Sequence, residues 1–149
     1  MFTVTDMTPT HLDAVYEVEL NSFSIPWSKN EIRREIEENK HAVYKVALTE
    51  TGEVAGYAGL WHVVNEGHIT NLAVDIPYRR MGVGALLLES LITLAQEREM
   101  LGLTLEVRIG NAAAQKLYTK YGFKPEGLRK NYYSDTGEDA VIMWKYFEV

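Results

Sequence analysis

The chain has 149 residues, 46% hydrophobic and 24% charged, the balance of an ordinary globular protein with a sizeable core. Its 15 basic and 21 acidic side chains leave a formal charge of −6, which argues against broad affinity for nucleic acid or an anionic membrane. No cysteine occurs, which excludes a disulfide, a thiolate metal site and a cysteine nucleophile.

The first residues, Met1-Phe2-Thr3-Val4-Thr5-Asp6, lack a basic segment followed by an apolar run, and no stretch reaches the ~20 apolar residues of a membrane span. A cytoplasmic location is expected. A strand is predicted over residues 2–5. Thr8-Pro9 then starts a helix carrying Leu12, Val15, Val18 and Glu19, which Phe23-Ser24-Ile25-Pro26-Trp27 interrupts because proline disfavours helix in the residue before it. Ser28-Lys29-Asn30-Glu31 has capping-box spacing and opens a second helix to about residue 39. Residues 42–49 and 54–63 read as a hairpin around Gly52, and Asn65-Glu66-Gly67 turns the chain into a strand over 68–74. After Pro77 and an arginine-glycine turn, Val83, Leu87, Leu91 and Leu94 fall at helical spacing, with Gly102 as the expected stop. Residues 103–107 form a strand, Asn111 caps a helix ending at Gly122, and residues 124–129 and 140–146 pair as closing strands. The order βααβββαβαββ implies one α+β (mixed α/β) domain over residues 1–149, around a mostly antiparallel, partly parallel sheet.

The turn Arg79-Arg80-Met81-Gly82-Val83-Gly84 opens a helix, yet it carries two arginines where acidic residues are usual. Cations at unpaired helix N–H groups, with glycines that allow close backbone approach, suit a bound phosphate or pyrophosphate. The alternative is a surface turn with two solvated arginines. A third glycine, a phosphate-loop lysine and the following Ser/Thr are absent, so neither a dinucleotide-binding nor a triphosphatase fingerprint is met.

In Leu103-Thr104-Leu105-Glu106-Val107 the apolar residues alternate, so Thr104, Glu106 and Arg108 share the other face, which opens to solvent or a cleft. Glu106 is a carboxylate in that cleft, a solvent-facing carboxylate on an exposed strand, or a partner for Arg108. Tyr118 shares a helix face with Ala114, Leu117 and Tyr121, the spacing of a core aromatic, though its phenol is also a competent proton donor near neutral pH. His11, His41, His62 and His68 show no metal-ligand or triad spacing, and no metal site is expected.

Together these segments resemble the GNAT N-acetyltransferase superfamily, whose (Gln/Arg)-x-x-Gly-x-(Gly/Ala) signature is matched at Arg79, Gly82 and Gly84. Within it the chain looks similar to the bacterial ribosomal-protein-alanine acetyltransferases, on Ile25-Pro26-Trp27-Ser28, Asn71-Leu72-Ala73-Val74, Leu105-Glu106-Val107-Arg108, Asn111-Ala112-Ala113-Ala114, Leu117-Tyr118, Tyr121-Gly122-Phe123 and Asn131-Tyr132-Tyr133. The resemblance implies acetyl-CoA as cosubstrate. Leu72, Ala73 and Val74 would present backbone groups to its pantetheine arm and thioester. Arg79, Arg80, Met81, Gly82, Val83, Gly84 and Ala85 would hold the pyrophosphate, and Asn111 would contact the cofactor again. Glu106 would be general base and Tyr118 general acid for direct transfer to the N-terminal amine of a ribosomal protein, with a backbone N–H at a strand distortion near Val74 holding the oxyanion. Trp27, Tyr132 and Tyr133 either line a peptide groove, with Glu138 and Asp139 near its rim to attract a basic peptide, or belong to ordinary packing and a solvated hairpin. Gly110 stands where relatives often carry serine, and Ile25 where Phe is common. The rival readings are transfer to lysine side chains or small amines, and a non-catalytic CoA-binding module.

Overall fold

The computed structural model describes residues 1–148. Strands β1 (Thr3–Asp6), β2 (Ala42–Leu48), β3 (Val54–Val63), β4 (Glu66–Val74), β5 (Gly102–Arg108), β6 (Lys124–Tyr133) and β7 (Glu138–Tyr146) form one sheet in the order β1-β2-β3-β4-β5-β7-β6. Helices α1 (Leu12–Ser22), α2 (Lys29–Glu37), α3 (Val83–Glu97) and α4 (Ala112–Lys120) connect them, with short 3₁₀ turns at Pro9–His11 and Ile76–Tyr78. This is the expected element order and the expected mixed α/β fold.

Two apolar layers sandwich the sheet. Leu87, Leu88 and Leu91 of α3 pack with Leu60, Leu103, Leu105 and Phe123 on one face, while Val15 and Val18 of α1 and Ile32 of α2 pack with Val46 and Tyr57 on the other. Covered on both sides, β3 is buried without a break from Val54 to Leu60, which explains its uncharged run Val-Ala-Gly-Tyr-Ala-Gly-Leu. Burying a Leu or Val side chain stabilises the fold by about 1.5–3 kcal/mol, so these layers are what hold the sheet.

Among the described residues only β4 and β5 are parallel neighbours, and their ladder is short: Glu66–Gly102, Gly67–Leu103 and His68–Thr104. Beyond that pair the two strands have no common register, and a gap opens between residues 69–74 and the second half of β5. An antiparallel strand turns alternate N–H groups away from its partner, so the free edge of β4 presents donors into the gap.

Most boundaries fall within two residues of expectation, and three of the differences have a cause in the backbone. Helix α3 stops at Glu97, where Glu99 (φ 56°) supplies the left-handed residue and its N–H bonds Gln96, while Gly102 begins β5. A Cβ on Gly102 would lie 2.8 Å from the Lys145 carbonyl, so that glycine serves strand approach and not helix termination. Strand β4 begins at Glu66, because Val64 (φ 57°) takes the left-handed turn position assigned to the Asn65-Glu66-Gly67 segment. Strand β6 runs on to Tyr133 through an irregularity at Asn131 (φ 53°), whose N–H donates to Asp139 Oδ1 at 2.9 Å.

Candidate active site

The gap between β4 and β5 leads into a cleft of about 460 Å³, lined by Trp27, Asn71, Leu72, Glu106, Asn111, Tyr118, Tyr132 and Tyr133 among others. Seven of the residues singled out for chemistry in the sequence, Trp27, Leu72, Glu106, Asn111, Tyr118, Tyr132 and Tyr133, therefore meet in one place.

Glu106 reaches this cleft because Leu103, Leu105 and Val107 take the α3-side core, leaving Thr104, Glu106 and Arg108 on the opposite face. Its side chain is 9% exposed, with Oε2 2.7 Å from His68 Nε2 and Oε1 3.6 Å from Arg129 Nε. The His68 hydrogen bond holds the Glu106 carboxyl below the usual carboxylate range, against the upward pull of burial. Glu106 is thus ionised at neutral pH, not paired with Arg108. His68, given no role on its spacing, is its principal partner. The signal was positional: His68 opens the half of β4 facing β5, but only the parallel register across a 38-residue separation brings the two together.

Arg108 also lines the cleft but is engaged elsewhere. It bonds Asp135 at 2.8 Å, contacts Glu138 at 3.4 Å and stacks its guanidinium 4.0 Å from the Tyr133 ring centre. Ser24, in the loop between α1 and α2, donates to the same Asp135, whose carboxyl the Arg108 guanidinium holds at about 2. This tie joins the loops on either side of the cleft mouth, so Trp27 and the Tyr132-Tyr133 pair face it together. Glu138 and Asp139 are not free rim charges. Glu138 bonds Arg108 and the Gly110 N–H, and Asp139 bonds the Asn131 N–H, because each fastens a loop that the strand irregularity would leave unpaired.

Tyr118 lies on α4 and is 7% exposed, edge-on to Phe123 at 5.7 Å, yet it lines the cleft. Burial raises its phenol above the ordinary tyrosine value, so the hydroxyl keeps its proton. Asn111 caps α4, accepting from the Ala114 N–H at 3.1 Å.

The arginine-glycine turn has the geometry an anion cradle needs. Arg80 (φ 64°) and Gly82 (φ 81°) are left-handed, and a Cβ on Gly82 would meet nothing within 4 Å. No acidic residue occupies the first turn of α3, so its N–H groups face outward uncompensated. A Cβ on Gly84 would make ordinary contact with Leu117 and Val74 at 3.6 and 3.7 Å, which is why that signature position tolerates alanine. Arg79 departs from expectation in part: its Nε donates to the Val74 carbonyl at 2.9 Å and fastens the turn to β4.

The strand distortion is also elsewhere. Val74 pairs regularly with Gly56, whereas the register of β4 slips where Gly59 pairs Asn71 and Leu60 pairs Ile69. The extra residue is Thr70, four positions before Val74. Ala73 is buried against Tyr57 and turns its side chain from the gap, while Leu72 lines the cleft.

Among the described residues no helix is long and apolar enough to cross a membrane, and no group of three or more His, Asp or Glu could hold a metal ion. Residues 12–123 match the model of the acetyltransferase (GNAT) family. The chain is 45% identical over 141 residues to a Bacillus subtilis (strain 168) protein provisionally named a ribosomal protein bS18-alanine N-acetyltransferase, covering 95% of this chain and 93% of that protein. It is 38% identical over 146 residues to the ribosomal protein bS18-alanine N-acetyltransferase of Escherichia coli (strain K12), covering 96% of each. The crystal structure of the ribosomal-protein-S18-alanine N-acetyltransferase from Escherichia coli superposes with a TM-score of 0.91 at 35% identity, covering all of this chain and 96% of that one. With the family model matching residues 12–123 and relatives 45% and 38% identical over nearly the whole chain, this chain belongs to the GNAT acetyltransferase family.

Proposed function

We propose that the chain transfers the acetyl group of acetyl-CoA to a protein N-terminal α-amine, most simply the N-terminal alanine of a small-subunit ribosomal protein. The observation that carries this reading is the ionised Glu106, held by His68 where β4 and β5 part, in the same cleft as the protonated Tyr118. The residues present fit the carrier. The open, left-handed Gly82 and the uncompensated N-terminus of α3 suit its pyrophosphate, and the unpaired edge of β4 suits its amide-bearing arm.

Acetyl-CoA supplies an activated acyl group; this chain's residues supply orientation and proton transfer. An α-amine has a pKa of about 8, so near neutral pH a single proton must leave before it can attack. Glu106, already a carboxylate, takes that proton, most simply through a water. N–H groups on the free edge of β4, released by the bulge at Thr70, are the donors available to the carbonyl oxygen. Tyr118 keeps its proton across the working range and can release it to the departing thiolate. Trp27, Tyr132 and Tyr133 hold the peptide, and holding both reactants in place is worth roughly 7–11 kcal/mol of barrier. A cleft joined across its mouth by Ser24, Asp135 and Arg108 admits a chain end more readily than a mid-chain segment.

The test is a peptide panel assayed for release of free CoA thiol. Peptides with a free N-terminal alanine should turn over, and the same peptides with that amine blocked but an internal lysine present should not. Equal turnover of both sets would overturn the substrate class.

A further inference from the structure

Asn71 and Glu19 are buried polar side chains in the layer under α1, and neither has a role in the chemistry above. On a regular β4, Asn71 would face α3, as Gly67 and Ile69 do. The extra residue Thr70 reverses the phase. After it Leu72 and Val74 pack on the α3 side and Ala73 on the α1 side. Asn71 is thereby brought to the face that carries His68 and Glu106.

There Asn71 Nδ2 donates to the Tyr57 hydroxyl oxygen at 3.2 Å, and the Tyr57 hydroxyl donates to Glu19 Oε1. The other Glu19 oxygen accepts the Trp27 N–H at 2.8 Å. A phenol has one proton, and here it goes to the carboxylate, so the Tyr57 oxygen can only accept from Asn71. That order of donors fixes which way the amide points. It leaves Asn71 Oδ1 buried and without a partner, in a residue 7% exposed that lines the cleft. Buried acceptors are normally paired, and one left unpaired in a residue of the cleft wall is a place for a donor from the ligand.

We infer that Asn71 Oδ1 accepts an N–H of the acceptor's α-amine, holding the nitrogen while Glu106 takes its proton. This rests on the reading of the cleft as a site for an α-amine. An amide oxygen suits the task better than a carboxylate, because, carrying no charge, it stabilises the protonated amine less. Tyr57 and Glu19 act through Asn71 as positioning residues, and the same chain anchors the Trp27 backbone, so amine and peptide contacts share one support.

The experiment compares two ligands by calorimetry in the presence of CoA: a peptide with a free N-terminal alanine, and the same peptide with that alanine replaced by a propionyl group. The wild type should bind the alanyl peptide more tightly. In Asn71→Leu that preference should fall about tenfold, the value of one hydrogen bond to an amine, while propionyl-peptide and CoA affinities stay within about twofold. If Asn71→Leu does not fold, Asn71→Ser carries the same comparison. An unchanged preference, or an equal loss of both peptides, would overturn the assignment. A wild type that acetylates α-amines yet shows no preference for the alanyl peptide would also overturn it. A wild type that neither binds nor acetylates the alanyl peptide would instead overturn the reading of the function.

Discussion

Replacing His68 with alanine should unbalance Glu106 in a measurable direction. The 2.7 Å bond from His68 is the principal influence holding that carboxyl low, and burial opposes it. A hydrogen bond to a charged group contributes about 1.5–3 kcal/mol, and the His68 side chain is 34% exposed, so solvent screening places it below that range. Arg129 remains at 3.6 Å but is half-exposed, so it offsets little. About 1 kcal/mol of carboxylate stabilisation should therefore be lost. Two measurements read it. The acid limb of kcat/KM against pH should move to higher pH in His68→Ala, and His68→Gln, whose amide can donate in the same direction, should restore part of its position. The second measurement is stability. A carboxyl with a lowered folded-state pKa stabilises the fold above its ordinary value near 4.5, and that contribution disappears as pH falls through the lowered value. The gap in urea-unfolding free energy between wild type and His68→Ala should be about 1 kcal/mol at pH 7 and shrink on acidification below pH ~4.5. An unmoved acid limb with a gap independent of pH would refute the reasoning.

Three further outcomes follow from the geometry. Tyr118→Phe should lower kcat by about 10²–10⁴ with little change in acetyl-CoA affinity, measured by steady-state kinetics and CoA titration, and a loss of affinity with normal turnover would reject the acid role. Gly82→Val should weaken CoA binding, because a branched residue at φ 81° strains the turn and crowds the anion's approach, as calorimetry would show. Burial raises the Glu19 carboxyl against the lowering bonds from Tyr57 and Trp27, so the unfolded chain ionises it first as pH rises. Wild-type stability should therefore slope downward above pH ~4.5, and Glu19→Gln should remove that component in chemical unfolding series.

The element order was legible because the punctuation in this chain is strong: Pro26, the Ser28 capping box, Pro77 and Asn111 each mark a boundary that the fold keeps. Glu106 was legible for the same reason, since alternation with Leu103, Leu105 and Val107 leaves it one possible face. The misplaced boundaries share a cause. Val64, Glu99 and Asn131 adopt left-handed backbone that tertiary contacts impose, and local propensity pointed instead to nearby glycines or to the end of a strand. His68 and Asn71 were illegible as functional residues for a deeper reason. The first depends on parallel register with a residue 38 positions away, and the second on one extra residue at Thr70 that reverses the phase of the rest of the strand. Asp139 and Glu138 looked like free acidic charges because nothing in their spacing reveals the backbone N–H groups they satisfy.

The most direct test of the central claim is mass spectrometry of intact small-subunit ribosomal proteins from cells with and without this protein. One ribosomal protein beginning with alanine should carry a single acetyl group at its N-terminus in the first case and lose it in the second. Restoring the wild-type chain should restore the modification, and restoring Glu106→Gln should not. Unaltered N-termini in both cell types, or an acetyl group found only on lysine side chains, would contradict the account.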